Sequence, residues 1–159
     1  MPDSSSSTLN LGISPLLIVE DSDEDYFTFL RIMQECEFQR PVLRACDGED
    51  ALDYLYHRGQ YLEPQRAPRP AVIVMDLNLP GTDGREVIEQ VKQDQSLKSI
   101  PIVVLTTSSN PRDVDSCYHF GINSYMLKPI GVPELRHTIK NFLHYWFEAI
   151  VLPTDDPYP

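Results

Sequence analysis

Glu20 and Asp21, Asp76, Thr106 and Lys128 stand at four separate places in the chain, and each place directly follows a short apolar run. Carboxylates, a hydroxyl and an ammonium are the groups that handle a divalent cation and a phosphate. Carboxylates packed together repel one another, which raises a proton affinity or recruits a cation. Mg²⁺ suits such a place, because it takes oxygen ligands, commonly from one or two carboxylates, and keeps waters for a phosphate. Glu20, Asp21 and Asp76 supply those oxygens if the first and third strands are neighbours. Asp76 is then also a candidate nucleophile towards a phosphoryl group. Lys128 would neutralise phosphoryl oxygens as a compact point charge, and Thr106 would donate a hydrogen bond to one of them.

The elements that must position these groups are legible in outline. Leu16-Leu17-Ile18-Val19, Ala71-Val72-Ile73-Val74-Met75, Ile102-Val103-Val104-Leu105 and Tyr125-Met126-Leu127 read as buried parallel strands. A further strand fits Val42 to Cys46. Ser22, with Asp25 three residues on, forms a near capping box that opens a helix through about Glu37, with Tyr26, Phe29, Leu30 and Met33 as its apolar stripe. A second helix spans Gly48 to His57, and a third uses Val87, Ile88 and Val91. Asn110-Pro111 opens a fourth helix that Gly121 ends, and Pro133 opens a last one lined by Leu135, Ile139, Phe142 and Trp146. Arg58 to Arg69, with Pro64 and Pro68, reads as an extended surface loop of about 12 residues, longer than most such connections. Strand and helix alternate into a three-layer α/β/α sandwich, in which ligands bind beyond the carboxyl ends of the strands.

The chain has 159 residues, enough for one domain with a full core. Residues 1–13 are expected to be a disordered leader without the marks of a secretory signal, 14–150 the folded domain, and 151–159 a mobile tail. A formal net charge of −11 argues against a nucleic-acid partner. No apolar run is long enough for a membrane span. Cys36, Cys46 and Cys117 show no zinc or disulfide spacing and are expected to be buried, reduced thiols, which fits the cytoplasm. His57, His119, His137 and His144 show no metal spacing either.

Taken in order, Val19-Glu20-Asp21, then Met75-Asp76-Leu77-Asn78-Leu79-Pro80-Gly81 with Asp83-Gly84, then Leu105-Thr106, then Lys128-Pro129 resembles the receiver domain of two-component response regulators. The resemblance covers roughly Ser14 to Trp146. It implies a flavodoxin-like parallel sheet of five strands in the order 2-1-3-4-5. It also implies phosphoryl transfer from a sensor histidine kinase to Asp76, and Mg²⁺ held by Glu20, Asp21, Asp76 and the carbonyl of Asn78. Thr106 and Lys128 would read the phosphate, Tyr125 would be the aromatic switch, and Lys128-Pro129 a cis peptide. Arg58-Gly59-Gln60-Tyr61, Arg69-Pro70, Leu105-Thr106-Thr107-Ser108 and the closing Tyr145-Trp146-Phe147 with Leu152-Pro153 are similar to the small regulators that serve cyanobacterial and other bacterial phytochromes. A phytochrome as kinase is thus implied. Some members of that subgroup lack the acceptor acid; this chain keeps Asp76.

Two other functions fit parts of the pattern. A metal-dependent phosphatase with an aspartyl nucleophile usually has a second acid two residues on, where this chain has Asn78. A flavodoxin-like flavin carrier needs a phosphate loop after the first strand, where Glu20-Asp21-Ser22-Asp23-Glu24-Asp25 would repel one. No output domain fits after Phe147, so the chain is expected to work as a stand-alone receiver on an unidentified downstream protein. Tyr145, Trp146 and Phe147 cannot all face one side of a helix, and a homodimer through the final helix is expected.

Overall fold

A computed structural model describes residues 13–154. The apolar runs form β1 (Leu16–Val19), β2 (Val42–Ala45), β3 (Val72–Met75), β4 (Ile102–Thr106) and β5 (Ser124–Leu127). Between and after them lie α1 (Asp23–Glu35), α2 (Gly48–Tyr56), α3 (Gly84–Gln93), α4 (Pro111–Phe120) and α5 (Val132–His144). The strands are all parallel in the order β2-β1-β3-β4-β5, as the resemblance implied. Alternation along each strand feeds two cores. Leu17, Val19, Ile73, Met75, Ile102 and Val104 pack with α2, α3 and α4. Leu16, Ile18, Val72, Val74, Val103 and Leu105 pack with α1 and α5. Both faces of the sheet are thus covered, which explains why the strands read as unbroken apolar runs.

Helix starts follow local chemistry. Ser22, Asp47, Asp83 and Asn110 each accept a backbone N–H of the helix they open. Ends were less legible. The first helix stops at Glu35 rather than Glu37, because Glu37 turns left-handed at φ 57°. His57 closes α2 in the same way, at φ 53°. The segment after it is not extended: it makes 3₁₀ turns at Gly59–Tyr61 and Pro64–Arg66 and folds back on α2. Tyr54 donates to the Pro68 carbonyl at 2.6 Å, and Tyr61 packs edge-on against Tyr54 while donating to Asp50 at 2.8 Å. The cysteine reading also needs correction. Only Cys117 is buried; Cys36 is half-buried and Cys46 is exposed, because it lies just past the end of an edge strand.

The final helix departs from α geometry at Tyr145–Ala149, which forms a π turn. That turn separates three consecutive aromatics. Trp146 is buried, Phe147 packs edge-on against Phe38 and lies under the Arg40 guanidinium, and Tyr145 faces solvent. The leader expected over residues 1–13 falls outside the described residues except for Ile13, as does most of the expected tail. Within the tail, Leu152 packs on the α1–α5 core.

Candidate metal and phosphate site

Strand register assembles the site. Val19 pairs with Met75, so Glu20 and Asp76 leave adjacent strands side by side. Thr106 pairs with Leu127, and the Lys128 N–H donates to the Thr106 carbonyl at 2.7 Å. All the candidate groups therefore meet at the carboxyl edge of β1, β3, β4 and β5. Oxygens of Glu20, Asp21 and Asp76 lie within 4.8 Å of one another. Glu20, Asp76 and Thr106 are buried, while Asp21 is exposed.

The Lys128 ammonium spends its donors on three carboxylates. Its Nζ lies 2.7 Å from Glu20 Oε2, 3.0 Å from Asp76 Oδ2 and 3.1 Å from Asp25 Oδ2. Burial opposes its charge, but the Glu20 hydrogen bond and the Asp76 and Glu20 charges outweigh it and hold the ammonium above its ordinary value. Burial pushes the Glu20 carboxyl up to about 7, against the pull of Lys128. With Asp21 beside Glu20 and Asp76, the pocket has more carboxylates than its single ammonium can balance. A divalent cation with a preference for hard oxygen donors fits that deficit.

The backbone beneath Asp76 has little room. A Cβ on Gly84 would lie 2.3 Å from the Asp76 carbonyl oxygen and 2.8 Å from Leu77 Cα, so α3 can start this close only with glycine there. Arg44, at the end region of β2, donates to the Glu20 carbonyl at 3.0 Å and pairs with Asp23 at 2.7 Å, bracing the acidic loop. The Tyr125 hydroxyl already donates to the Ser108 carbonyl at 2.7 Å, so its ring sits against the β4–α4 loop rather than in solvent. The Lys128–Pro129 peptide is trans, correcting the expectation of cis; X–Pro bonds favour trans intrinsically.

Every side chain singled out in the sequence for the pocket arrives at the same sheet edge. Asn78 is exposed beside it, and its N–H makes a long contact of 3.4 Å to Asp76 Oδ1. Residue-by-residue reading missed the parts that Asp25 and Arg44 play here. Asp25 had a visible sign: it stands one helical turn past Asp21, on the first turn of the helix that leaves the pocket. Arg44 reaches the Glu20 carbonyl from the neighbouring strand, 24 residues on, and nothing local marks it.

Fold and pocket together define a doubly wound domain with an acidic, lysine-bearing site at its carboxyl edge, the layout of a phosphoacceptor. Residues 16–140 match the response regulator receiver domain. The response regulator Rcp1 of Synechocystis sp. is 36% identical over 138 residues, 87% of this chain and 92% of Rcp1. The crystal structure of the Mn(2+)-bound form of Rcp1 matches with a TM-score of 0.83 at 35% identity, covering 89% of this chain and 100% of that one. The phosphorylated cyanobacterial phytochrome response regulator RcpA also matches with a TM-score of 0.83, at 34% identity over 89% of this chain and 99% of that one. The chain belongs to the response regulator receiver family and is a phosphoacceptor signalling domain of the two-component type. The phosphatase alternative finds no support in these relatives. Among the described residues, no helix is long and apolar enough to cross a membrane.

Proposed function

We propose that Asp76 is the phosphoacceptor and that the donor is a phytochrome-type sensor histidine kinase in the cytoplasm. The observation that carries the acceptor assignment is the Lys128 ammonium, held 3.0 Å from Asp76 and 2.7 Å from Glu20 at the edge where Thr106 also ends its strand. An Asp76 carboxylate oxygen attacks phosphorus, an O–P bond forms, and the bond from phosphorus to the donor nitrogen breaks with its electron pair returning to the imidazole. Lys128 exchanges its contact with Asp76 Oδ2 for one with a phosphoryl oxygen, and Thr106 donates to another. Glu20, Asp21 and Asp76, with the Asn78 carbonyl, would hold Mg²⁺, which when bound supplies positive charge to the phosphoryl oxygens. Rcp1 in its Mn(2+)-bound form and phosphorylated RcpA support both halves of this reading by similarity.

Self-catalysed transfer from a small phosphodonor and slow hydrolysis of the acyl phosphate belong to the same proposal. Incubation with acetyl phosphate and Mg²⁺ should label wild type and leave Asp76→Asn unlabelled; equal labelling of both would refute the assignment. Output is proposed to pass to a downstream protein through the α4–β5–α5 surface, with Tyr125 as the switch. Self-association is proposed through the final helix and the residues after it. Trp146 and Phe147 serve the protein's own core, whereas Tyr145 and Val151, at 54% and 95% exposure, offer apolar surface to a second copy. Sedimentation of wild type and Tyr145→Glu tests this: a dimer unchanged by the substitution removes the proposed surface.

A further inference from the structure

The helices that follow Asp76 and Thr106, α3 and α4, are joined at their first turns by an ion pair that the phosphoryl chemistry above does not use. Arg85, in the first turn of α3, donates from Nε to Asp113 Oδ1 at 2.9 Å and lies 2.8 Å from Asp113 Oδ2 through its second terminal nitrogen. Its remaining nitrogen donates to both oxygens of Asp83, at 2.8 and 3.0 Å. The side chains of Arg85 and Asp113 are only 27% and 20% exposed. A cation in the first turn of a helix works against the helix dipole. Arg85 is therefore badly placed for α3 itself, and its position is explained by the two carboxylates it bridges.

Beyond Asp113 the network continues into the pocket. Ser108 Oγ donates to Asp113 Oδ2 at 2.6 Å. The Ser108 carbonyl accepts from the Tyr125 hydroxyl at 2.7 Å, and the Ser108 N–H points to Thr106 Oγ1 at 3.4 Å. A hydroxyl oxygen that already accepts from an amide has its own proton left to donate. Asp113 is held ionised below the usual carboxylate range by Arg85 and then by Ser108, so it remains an acceptor at neutral pH.

We infer that the Arg85–Asp113 pair is a positioning clamp: it fixes Ser108, and Ser108 orients the Thr106 hydroxyl as a donor to a phosphoryl group on Asp76 while seating Tyr125. This rests on the assignment of Asp76 and Thr106 above. The planar, two-pronged contact matters here, because it sets an orientation as well as a distance. Exposed single-point ion pairs contribute little, but a mostly buried fork that also holds a serine constrains the whole β4–α4 loop.

Binding of beryllofluoride, a phosphoryl mimic, in the presence of Mg²⁺ tests the clamp in wild type, Asp113→Ala, Arg85→Ala and the double variant. Asp113→Ala should weaken beryllofluoride binding about tenfold, Arg85→Ala about threefold, and the double variant no more than Asp113→Ala, as for residues acting through one contact. Mg²⁺ affinity without beryllofluoride should stay at the wild-type value in all of them, and the Ser108 amide should exchange faster. Wild-type beryllofluoride affinity in Asp113→Ala, or losses that multiply in the double variant, would overturn the clamp while leaving the Asp76 assignment standing. If wild type itself binds no beryllofluoride, the assignment fails and the clamp with it. Should Asp113→Ala not fold, Arg85→Lys serves in its place: a point charge cannot fill both carboxylate oxygens, so binding should fall about threefold, and unchanged binding overturns the clamp.

Discussion

Two lysines at opposite ends of the sheet make a controlled contrast. Lys128, at the carboxyl edge, has its ammonium among the carboxylates of Glu20, Asp25 and Asp76. Lys92, at the end of α3, reaches the amino edge, where its ammonium meets the Lys98 and Ile100 carbonyls at 3.0 and 2.8 Å and the Asn123 side-chain oxygen at 3.5 Å. Both are largely removed from water, and their acidities move in opposite directions. Burial draws Lys92 down to about 8, while the carboxylates hold Lys128 above its ordinary value. Neutral dipoles can hold an ammonium in place without repaying its lost hydration, whereas full charges repay it and leave negative charge over. One end of the molecule is tied shut by its lysine. At the other end the lysine's donors all rest on carboxylates.

The largest expected difference follows from removing each cation. Lys128→Met should slow labelling by acetyl phosphate about 100-fold, the usual scale for losing a charge-stabilising donor at a reacting centre. It should also cost roughly 3 kcal/mol of stability by stranding buried carboxylates, part of which Mg²⁺ restores. Lys92→Met should label as fast as wild type and lose only about 1–2 kcal/mol from unsatisfied carbonyls. Labelling rates and urea unfolding of the two variants decide the matter, and equal labelling would erase the distinction between the two ends.

Glycines offer a second comparison within the β3–α3 loop. Gly84→Ala should destabilise by about 2–4 kcal/mol and impair labelling, since the added methyl must displace the backbone of Asp76 and Leu77. Gly81, at φ +68° with no atom within 4 Å of an added Cβ, should lose only about 1 kcal/mol as alanine, from backbone strain alone. Thermal unfolding of the pair checks the ranking.

At the acidic pocket, Asp21→Ala should weaken Mg²⁺ binding about tenfold by lost Coulomb attraction, with stability in the absence of metal unchanged or slightly higher. A Mg²⁺ titration identical to wild type would place the cation elsewhere. The smallest effect is a pH dependence at the opposite end. Lys92 has a folded value of about 8 against 10.5 ordinarily, so between these values the unfolded chain binds more protons than the folded one. Stability should therefore rise with pH through that window, by on the order of 1 kcal/mol relative to Lys92→Met, and the burial cost is fully present below pH 8. Parallel pH profiles for wild type and Lys92→Met would show that the carbonyls offset the burial after all.

How far the pocket could be read from the chain depends on the range of the interactions involved. Strand runs, the Ser22 and Asn110 caps and the Gly121 stop are local, and each acts within one turn or one pleat. For that reason the alternating architecture, and the placing of Glu20, Asp76 and Lys128 at strand ends, were written in residue order. Boundaries at Glu35 and Ala45 were missed by one or two residues because helix and strand ends are decided by what packs beyond them. The resemblance supplied the strand order; no local pattern states that β1 lies beside β3.

Composition and spacing alone determined that this is a doubly wound α/β domain with acids, a hydroxyl and a lysine at one sheet edge. The tertiary structure decided which of those groups touch. Asp25 and Lys128 are 103 residues apart and Arg85 and Asp113 are 28 apart, and each pair meets only because helices pack on a sheet of fixed register. The π turn that buries Trp146, stacks Phe147 under Arg40 and leaves Tyr145 outside was decided in the same way. Periodicity encodes which face of an element is apolar, because that is a property of neighbours along the chain. Which polar groups become partners depends on distances across the fold, and those exist only once the layers have packed.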